Sequence, residues 1–212
     1  MLLYLVRHGE TEWNLSRRIQ GSTDIPLNDT GRDQAATAGT LLARRKWDAI
    51  YASPLSRAFE TASIIAHKVG LPEPVAVPAV VERHYGEAEG LSDPELSTRF
   101  PGDAPVPGRE SRGAVVARVL PALMELADAH PDQAILVVSH GGVIRSVLNA
   151  VDPDNQHPAI RNGSVHSFRH EHSTLTLIAF DDPIEQESLS SATDDLEDQN
   201  AIERRDAARG VL

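Results

Sequence analysis

The sequence has no cysteine among its 212 residues. This excludes disulfide bonds, thiolate nucleophiles and zinc or iron–sulfur sites built on cysteine. No apolar run approaches the roughly 18 to 20 residues of a membrane-spanning helix, so we expect no membrane partner. Positive charge is also scarce, with 20 Lys and Arg against 31 Asp and Glu and a formal net charge of −11. Such an acidic chain disfavours general binding to nucleic acid or to acidic membranes.

The composition that remains is that of one folded domain with an appendage. Hydrophobic residues make up 41% of the chain, which suffices for a single substantial core. From residue 183 the sequence is rich in Ser, Asp, Glu and Gln and poor in large apolar residues. We therefore predict a domain over residues 1–182 and an acidic C-terminal tail over residues 183–212, either disordered or a short polar helix around Asp194 to Ala208. The N-terminus has no basic leader before Arg7, which favours a first strand over a signal peptide. We therefore expect a cytoplasmic location.

Strand and helix patterns alternate along the chain. Short apolar runs predict strands at Leu2–Val6, Trp47–Ala52 and Ile135–Val138, and a hairpin over Val165–Phe168 and Thr174–Phe180. Helical spacing predicts helices from Gly31 to Leu42, from Ser53 to about His67, over Ser111–Ala129, and from His140 to near Ala150. Ser53 is expected to cap the second helix with Pro54 at its first position, and Pro121 to kink or shorten the third. The alternation predicts a three-layer α/β/α sandwich with a mostly parallel central sheet.

The segment with the clearest chemical content follows the first strand and reads Leu5-Val-Arg-His-Gly-Glu-Thr-Glu-Trp-Asn14. In sheets of this kind ligands bind beyond the carboxyl ends of the strands. His8 at such an end is held rigidly, and a neutral imidazole is a competent nucleophile near pH 7. Arg7 beside it offers the planar, bidentate donors that recognise phosphate oxygens. Taken alone, the segment fits a structural histidine equally well.

Three further segments carry groups suited to an anion site. Ser53-Pro-Leu-Ser-Arg57 places Arg57 in the first turn of a helix, whose N-terminus favours anions. Val137-Val-Ser-His140-Gly-Gly joins a strand to a helix through a second imidazole and open backbone N–H groups. Glu82-Arg-His-Tyr-Gly86, followed by Glu89-Gly90, supplies a carboxyl group for general acid or base chemistry.

Together these four segments resemble the histidine phosphatase superfamily, the phosphoglycerate mutase-like group, from Leu2 to about Phe180. Residues 1–182 would then be a histidine phosphatase domain with the phosphoglycerate mutase-like fold. The resemblance implies that His8 becomes phosphohistidine, that Glu82 protonates the leaving alkoxide and then activates water, and that no metal or cofactor takes part. It also implies a phosphate-binding set made of Arg7, Asn14, Gln20, Gly21, Arg57, Glu82, His140 and the backbone N–H of Gly141. The expected partner is a small phosphorylated metabolite.

The same family resemblance leaves two activities open. Glu82-Arg-His-Tyr-Gly86 is similar to the cofactor-dependent mutases, and Ala88 stands where the phosphatase branch usually has tryptophan. In the mutases a long insertion with an arginine pair shields phosphohistidine from water, whereas Leu91 to Pro107 is short and contains only Arg99. Pro-Gly-Arg-Glu-Ser at 107–111 is also similar to the phosphatases' Pro-Gly-Gly-Glu-Ser. We therefore favour the phosphatase.

Other interpretations are weaker. His166, His170 and His172 could form a metal site only if their strand were unbroken, and we expect solvent-facing hairpin residues instead. A catalytically silent binding protein on the same fold would be indicated by loss of His8, Arg57, Glu82 or His140, yet all four are present. The physiological substrate and the oligomeric state stay open, with a homodimer among the alternatives.

Overall fold

A six-stranded sheet forms the centre of the computed structural model, which describes residues 1–182 and Arg205. The strands are β1 (Leu2–Arg7), β2 (Ala49–Ala52), β3 (Val75–Ala76), β4 (Ala134–Ser139), β5 (Val165–Glu171) and β6 (Thr174–Ala179). Their order across the sheet is β3-β2-β4-β1-β5-β6. The first four run parallel, while β5 pairs antiparallel with both β1 and β6. The prediction of a mostly parallel sheet is confirmed.

Helices cover both faces of this sheet. They are α1 (Glu12–Leu15), α2 (Asp29–Leu42), α3 (Ser56–Val69), α4 (Asp93–Arg99), α5 (Arg112–Ala129) and α6 (Gly141–Val151), with two 3₁₀ turns at Pro78–Val80 and Gly86–Ala88. On one face α5 and α6 pack against Leu3 and Leu5 of β1. On the other, α2 and α3 pack against Tyr4 and Val6. Because side chains alternate across a strand, one apolar run supplies both cores, and the three-layer α/β/α fold follows.

A third, smaller cluster lies apart from the sheet. It consists of Ile19, Tyr85, Ala88, Leu96 and Phe100. Four of these five residues belong to the segment between β3 and α5. We call residues 81–111 the cap, since this segment carries α4, the second 3₁₀ turn and Glu82.

Two details of the predicted elements are wrong. The helix predicted to start at Ser53 has Leu55 at its N-cap, and Pro54 precedes it. The first hairpin strand is longer than expected, since β5 extends through Glu171 and the turn consists only of His172 and Ser173, both with positive φ. Pro121, expected to kink or shorten its helix, lies inside α5, which continues to Ala129 and is not shortened; a kink stays a prediction.

The described residues include no helix long and apolar enough to cross a membrane. The interpretation of residues 183–212 as an acidic tail lies outside the described residues, apart from Arg205. That residue is helical, and its guanidinium donates hydrogen bonds to the carbonyl oxygens of Phe100 and Gly102.

Candidate active site

The site begins where two neighbouring parallel strands end. β1 and β4 pair with Arg7 opposite Ser139, so the residues that follow, His8 and His140, leave the sheet side by side. The backbone N–H of His8 donates to the carbonyl oxygen of Ser139 over 3.0 Å. The two imidazole rings meet edge to face with their centroids 5.1 Å apart. Sheet register alone therefore brings together two histidines that are 132 residues apart in the chain.

The tautomer of His8 follows from its contacts. Its Nδ1 lies 2.6 Å from the carbonyl oxygen of Gly9, which can only accept, so Nδ1 carries the proton. The other nitrogen, Nε2, accepts a hydrogen bond from Nε of Arg57 over 3.3 Å. The lone pair of Nε2 therefore points toward the guanidinium. This is the orientation that a nucleophilic imidazole needs beside a bound anion.

The backbone around His8 is fixed from two sides. The N–H of Gly9 donates to Oγ1 of Thr61, at 3.1 Å, and Nδ2 of Asn162 donates to the carbonyl oxygen of His8, at 3.0 Å. A Cβ at Gly9 would lie 2.2 Å from the carbonyl oxygen of Gly31, so glycine is needed here for contact with a neighbouring backbone. Gly9 thus packs closely against the first turn of α2.

Arg57 is fully buried in the first turn of α3. Its Nη1 donates to the carbonyl oxygen of Thr23 over 2.9 Å, and its Nη2 donates to that of Gly21 over 2.7 Å. Burial lowers the pKa of Arg57 to about 10, so the side chain is still a cation at neutral pH. The two Nη atoms of the guanidinium thus bind the loop at residues 21–23, and its Nε binds Nε2 of His8.

Both site imidazoles are held in the neutral form. Burial, followed by the positive charges of Arg57 and Arg7, lowers the pKa of His8 well below its usual value of 6.5. Burial and the charge of Arg57 do the same for His140. Neither ring nitrogen of His140 has a hydrogen-bond partner among the residues that the structure describes. A buried imidazole with unsatisfied polar atoms beside a nucleophile is suited to contact a ligand.

Glu82 approaches the same point from the cap. Its Oε2 accepts from the N–H of Gly142 and its Oε1 from the N–H of Val143, both at 3.1 Å. Oε1 also accepts from the N–H of Arg83 at 2.7 Å. The carboxylate therefore sits at the N-terminus of α6, the helix that begins directly after His140, where the backbone N–H groups favour negative charge.

The remaining expected site residues surround this cluster. Arg7 is buried, and its guanidinium donates to the carbonyl oxygen of Ile160. A Cβ at Gly141 would lie 3.4 Å from Nε of Arg7, which places the helix start against that arginine.

Asn14 and Gln20 both contact Thr11. Oδ1 of Asn14 accepts from the Thr11 N–H at 3.2 Å and from Asn162 at 3.3 Å, while Nε2 of Gln20 donates to the Thr11 hydroxyl. Gly21 contributes its carbonyl oxygen to Arg57. Gly21 thus supports Arg57, and Asn14 contacts Asn162, which binds the carbonyl of His8. Direct contact of Asn14, Gln20 and Gly21 with phosphate stays a prediction.

Sequence reasoning missed several supporting residues. Asn162 follows no motif, and its Asn-Gly pair with Gly163 signals only a turn. Thr61 lies within the quoted α3 segment but carried no expected role. Arg118 reaches the cap from α5, with Nη1 on the carbonyl oxygen of Ala79 at 2.6 Å and Nε on Oε1 of Glu110 at 2.8 Å. Such contacts depend on tertiary packing and leave no local pattern.

The histidines of the hairpin are not solvent-facing as a group. His166 is fully buried and His170 nearly so, because β5 continues unbroken to Glu171 and buries this face of the strand. Nε2 of His166 lies 3.0 Å from the Ser164 hydroxyl, and its Nδ1 accepts from the N–H of Asp181 over 3.1 Å. Within the described residues no group of three or more His, Cys, Asp or Glu is arranged to hold a metal ion.

The chain is similar in sequence to known phosphatases. The model of the histidine phosphatase superfamily (branch 1) matches residues 3–183. The chain is 40% identical over 161 residues to a Bacillus subtilis protein named uncharacterized phosphatase PhoE, covering 74% of this chain and 82% of that one. It is 35% identical over 175 residues to the metal-independent phosphoserine phosphatase of Arabidopsis thaliana, covering 77% and 74%.

Mutases and solved phosphatases are also similar. A 2,3-bisphosphoglycerate-dependent phosphoglycerate mutase from a Methylobacterium species is 34% identical over 167 residues, covering 71% of this chain and 80% of the mutase. The structure of a mycobacterial glucosyl-3-phosphoglycerate phosphatase in complex with VO3 superimposes with a TM-score of 0.77 at 28% identity, covering 84% of this chain and 98% of that one.

Proposed function

Because the chain belongs to the histidine phosphatase superfamily, we propose that it hydrolyses phosphate monoesters of small metabolites through a phosphohistidine on His8. One observation carries the proposal: the buried Nε2 lone pair of His8 faces Arg57, and the unsatisfied nitrogens of His140 lie beside it. A phosphoryl group, whose anionic oxygens accept hydrogen bonds, is the ligand that such donors bind.

In the first step Nε2 of His8 attacks phosphorus and the ester P–O bond breaks. Charge on the equatorial oxygens is stabilised by Arg57 and Arg7, which suits a loose transition state that needs positioning and positive charge. Glu82 gives a proton to the leaving alkoxide. Contacts with the N–H groups of Gly142 and Val143, shortly after His140, place this carboxyl group beside the site, and the negative charge of a bound phosphoryl group favours its protonated form.

In the second step water attacks the phosphohistidine. Glu82, now a carboxylate, takes a proton from the water while the P–N bond breaks and inorganic phosphate leaves. His8 returns to its neutral form with a proton on Nδ1, the tautomer that its contact with Gly9 favours. The low pKa of His8 supports this return, because the free imidazole does not retain a proton at neutral pH.

The cap supports hydrolysis over transfer back to a sugar acid. Within 91–107, Arg99 is the arginine that could bind a substrate carboxylate, and it is engaged on the surface by Glu87 over 2.5 Å. A mutase must exclude water and hold that carboxylate. Similarity to a phosphoglycerate mutase keeps isomerisation as the second candidate.

The central test is release of phosphate from p-nitrophenyl phosphate by the protein and by His8→Ala, with and without a chelator. We expect the variant to lose at least about a thousandfold in kcat, as nucleophile removal does elsewhere, with circular dichroism unchanged. The exposed His67 on α3, changed to Ala, is the control and should keep full activity. Full activity in His8→Ala would refute the mechanism.

A second assay separates the two candidate activities. The protein is supplied with 3-phosphoglycerate and a trace of 2,3-bisphosphoglycerate, and isomerisation is compared with phosphate release. We expect release to dominate. Isomerisation that outruns release would make the chain a mutase. A phosphate-release screen over a metabolite panel, ranked by kcat/KM, then identifies the substrate.

A further inference from the structure

The carboxylate of Glu89 lies at the junction between the cap and the loop at residues 21–23. We propose that Glu89 is a positioning residue that sets the guanidinium of Arg57 against His8 by fixing the backbone of this loop. The inference rests on the proposed function, since it assigns Glu89 a part in phosphoryl transfer without contact with the substrate.

The contacts of Glu89 occupy both of its oxygens. Oε1 accepts from the N–H of Ser22 at 3.0 Å and from the N–H of Tyr85 at 3.1 Å. Oε2 accepts from the N–H of Thr23 at 2.9 Å and from the Thr23 hydroxyl at 2.5 Å. The side chain is only 10% exposed. One buried carboxylate therefore ties two successive backbone amides of the loop to the backbone of the cap.

The same loop holds Arg57 through its carbonyl oxygens. Gly21 and Thr23 accept from Nη2 and Nη1 of Arg57, and Nε of Arg57 donates to His8. The amides of residues 22 and 23 thus bind Glu89 while the carbonyls of residues 21 and 23 bind the guanidinium. The carbonyl of Gly21 and the N–H of Ser22 belong to one planar peptide unit, so a tilt of this plane would move a bond to Arg57 and a bond to Glu89 together. At Thr23 the N–H and the carbonyl flank a single Cα, which links the second pair of bonds.

Gly21 shows how closely the carboxylate approaches this loop. Its φ is +56°, and a Cβ there would lie 2.1 Å from Oε1 of Glu89. Glycine is therefore required at 21 both by the backbone conformation and by the position of Glu89. Gly21, for which the family resemblance implies phosphate binding, therefore also supports Arg57.

The charge state of Glu89 matches its partners. Burial alone would raise the pKa of its carboxyl group, but hydrogen bonds from Thr23, Ser22 and Tyr85 outweigh burial and lower it. An ionised carboxylate only accepts hydrogen bonds, and each of these partners donates one. A glutamine of the same shape would turn N–H donors toward at least one of these groups, so Glu89→Gln disturbs the loop with little change in volume.

Kinetics of Glu89→Gln on p-nitrophenyl phosphate test the inference. We expect kcat to fall about 10- to 100-fold, because a displacement of the order of 1 Å at a charge-stabilising group has effects of this size. KM should change less than threefold, since the lost interaction belongs to the transition state. The matched control is Glu95→Gln. The Glu95 carboxylate also accepts from a backbone N–H, that of Ser92 at the N-cap of α4, but it does not touch the loop at 21–23. Its variant should keep the parent kcat.

A double-mutant cycle separates positioning from a merely structural role. If Glu89 acts through Arg57, then Glu89→Gln should lower kcat by less than about twofold when Arg57 is already replaced by Ala. Equal losses in both backgrounds would overturn the inference while leaving the phosphatase mechanism intact.

A spectroscopic readout does not depend on turnover. We expect the ¹H–¹⁵N signal of Arg57 Nε–H to shift or broaden in Glu89→Gln and to stay in place in Glu95→Gln. An unchanged signal would refute the inference. A wild-type protein without phosphatase activity would refute the proposed function instead, and this signal would still decide the role of Glu89.

Discussion

The two halves of the site are built by different means. His8, Arg57 and His140 follow strands β1, β2 and β4, and the sheet's own pairing brings them together. The cap depends instead on carboxylates that bind backbone N–H groups. Glu82 holds the start of α6, Glu89 the loop at 21–23, and Glu110 the N–H of His84. The positive charge beside His8 is therefore built into the sheet half, while its alignment depends on side chains that reach across from the cap.

The largest expected effect comes from the sheet half. Arg57→Ala removes a buried cation beside the nucleophile, and we expect kcat to fall about 10²- to 10³-fold, the usual size for one lost charge-stabilising donor. Arg169 on β5 is an exposed arginine of the same sheet, and Arg169→Ala should leave kcat unchanged. A small loss in Arg57→Ala would mean that the sheet half does not supply the positive charge.

A smaller effect is expected from the cap half. Arg118→Met breaks contacts to the carbonyl oxygens of Ala79 and Glu82 and to Glu110, so each of these partly buried acceptors loses a charged donor. We expect a loss of about 1–3 kcal/mol in the free energy of unfolding and of about tenfold in kcat, measured by urea denaturation and with an aryl phosphate. Adding Glu110→Gln should recover part of the stability, because it removes a carboxylate that has lost its guanidinium partner. Unchanged kcat in Arg118→Met would show that the cap does not position Glu82.

The same division explains what the sequence could predict. His8 and His140 each follow a buried apolar strand, and parallel strands deliver their carboxyl ends to one edge, so local pattern and topology sufficed. Glu89 and Arg118 have no such signal. Glu89 binds loop residues that are 66 and 67 positions away in the chain, and Arg118 is one polar residue on an ordinary helix. The burial of His166 was missed for a related reason, because a two-residue turn with positive φ at His172 and Ser173 let β5 run three residues farther than predicted, to Glu171.

The pH dependence of the unfolding free energy tests the burial of His166 on β5, next to β1 in the sheet. Burial, with smaller effects from Arg145 and His157, lowers the pKa of His166 to about 3, against about 6.5 in an unfolded chain. Between these values the unfolded state binds more protons. The stability that His166 contributes is therefore complete above pH 6.5 and falls by about 1.4 kcal/mol for each pH unit below it.

His166→Asn keeps an acceptor for the N–H of Asp181 and removes the titration. We expect the drop in unfolding free energy between pH 7.5 and pH 5 to shrink by about 2 kcal/mol in this variant. His172→Asn, at the exposed turn of the same hairpin, is the matched control and should keep the wild-type slope. The same slope in both variants would show that His166 titrates normally.

The smallest effect is expected from the C-terminal segment. Arg205 donates to the carbonyl oxygens of Phe100, which ends α4, and of Gly102. A cation at a helix C-terminus is worth about 0.3–1 kcal/mol. Phe100 packs with Tyr85 in the cap, but Glu82 and Glu89 are held by backbone groups that this contact does not reach. Deleting residues 184–212 should therefore lower the unfolding free energy by less than about 1 kcal/mol while kcat/KM and the oligomeric mass stay unchanged. A large change in kcat/KM would mean that the cap half of the site extends to Arg205.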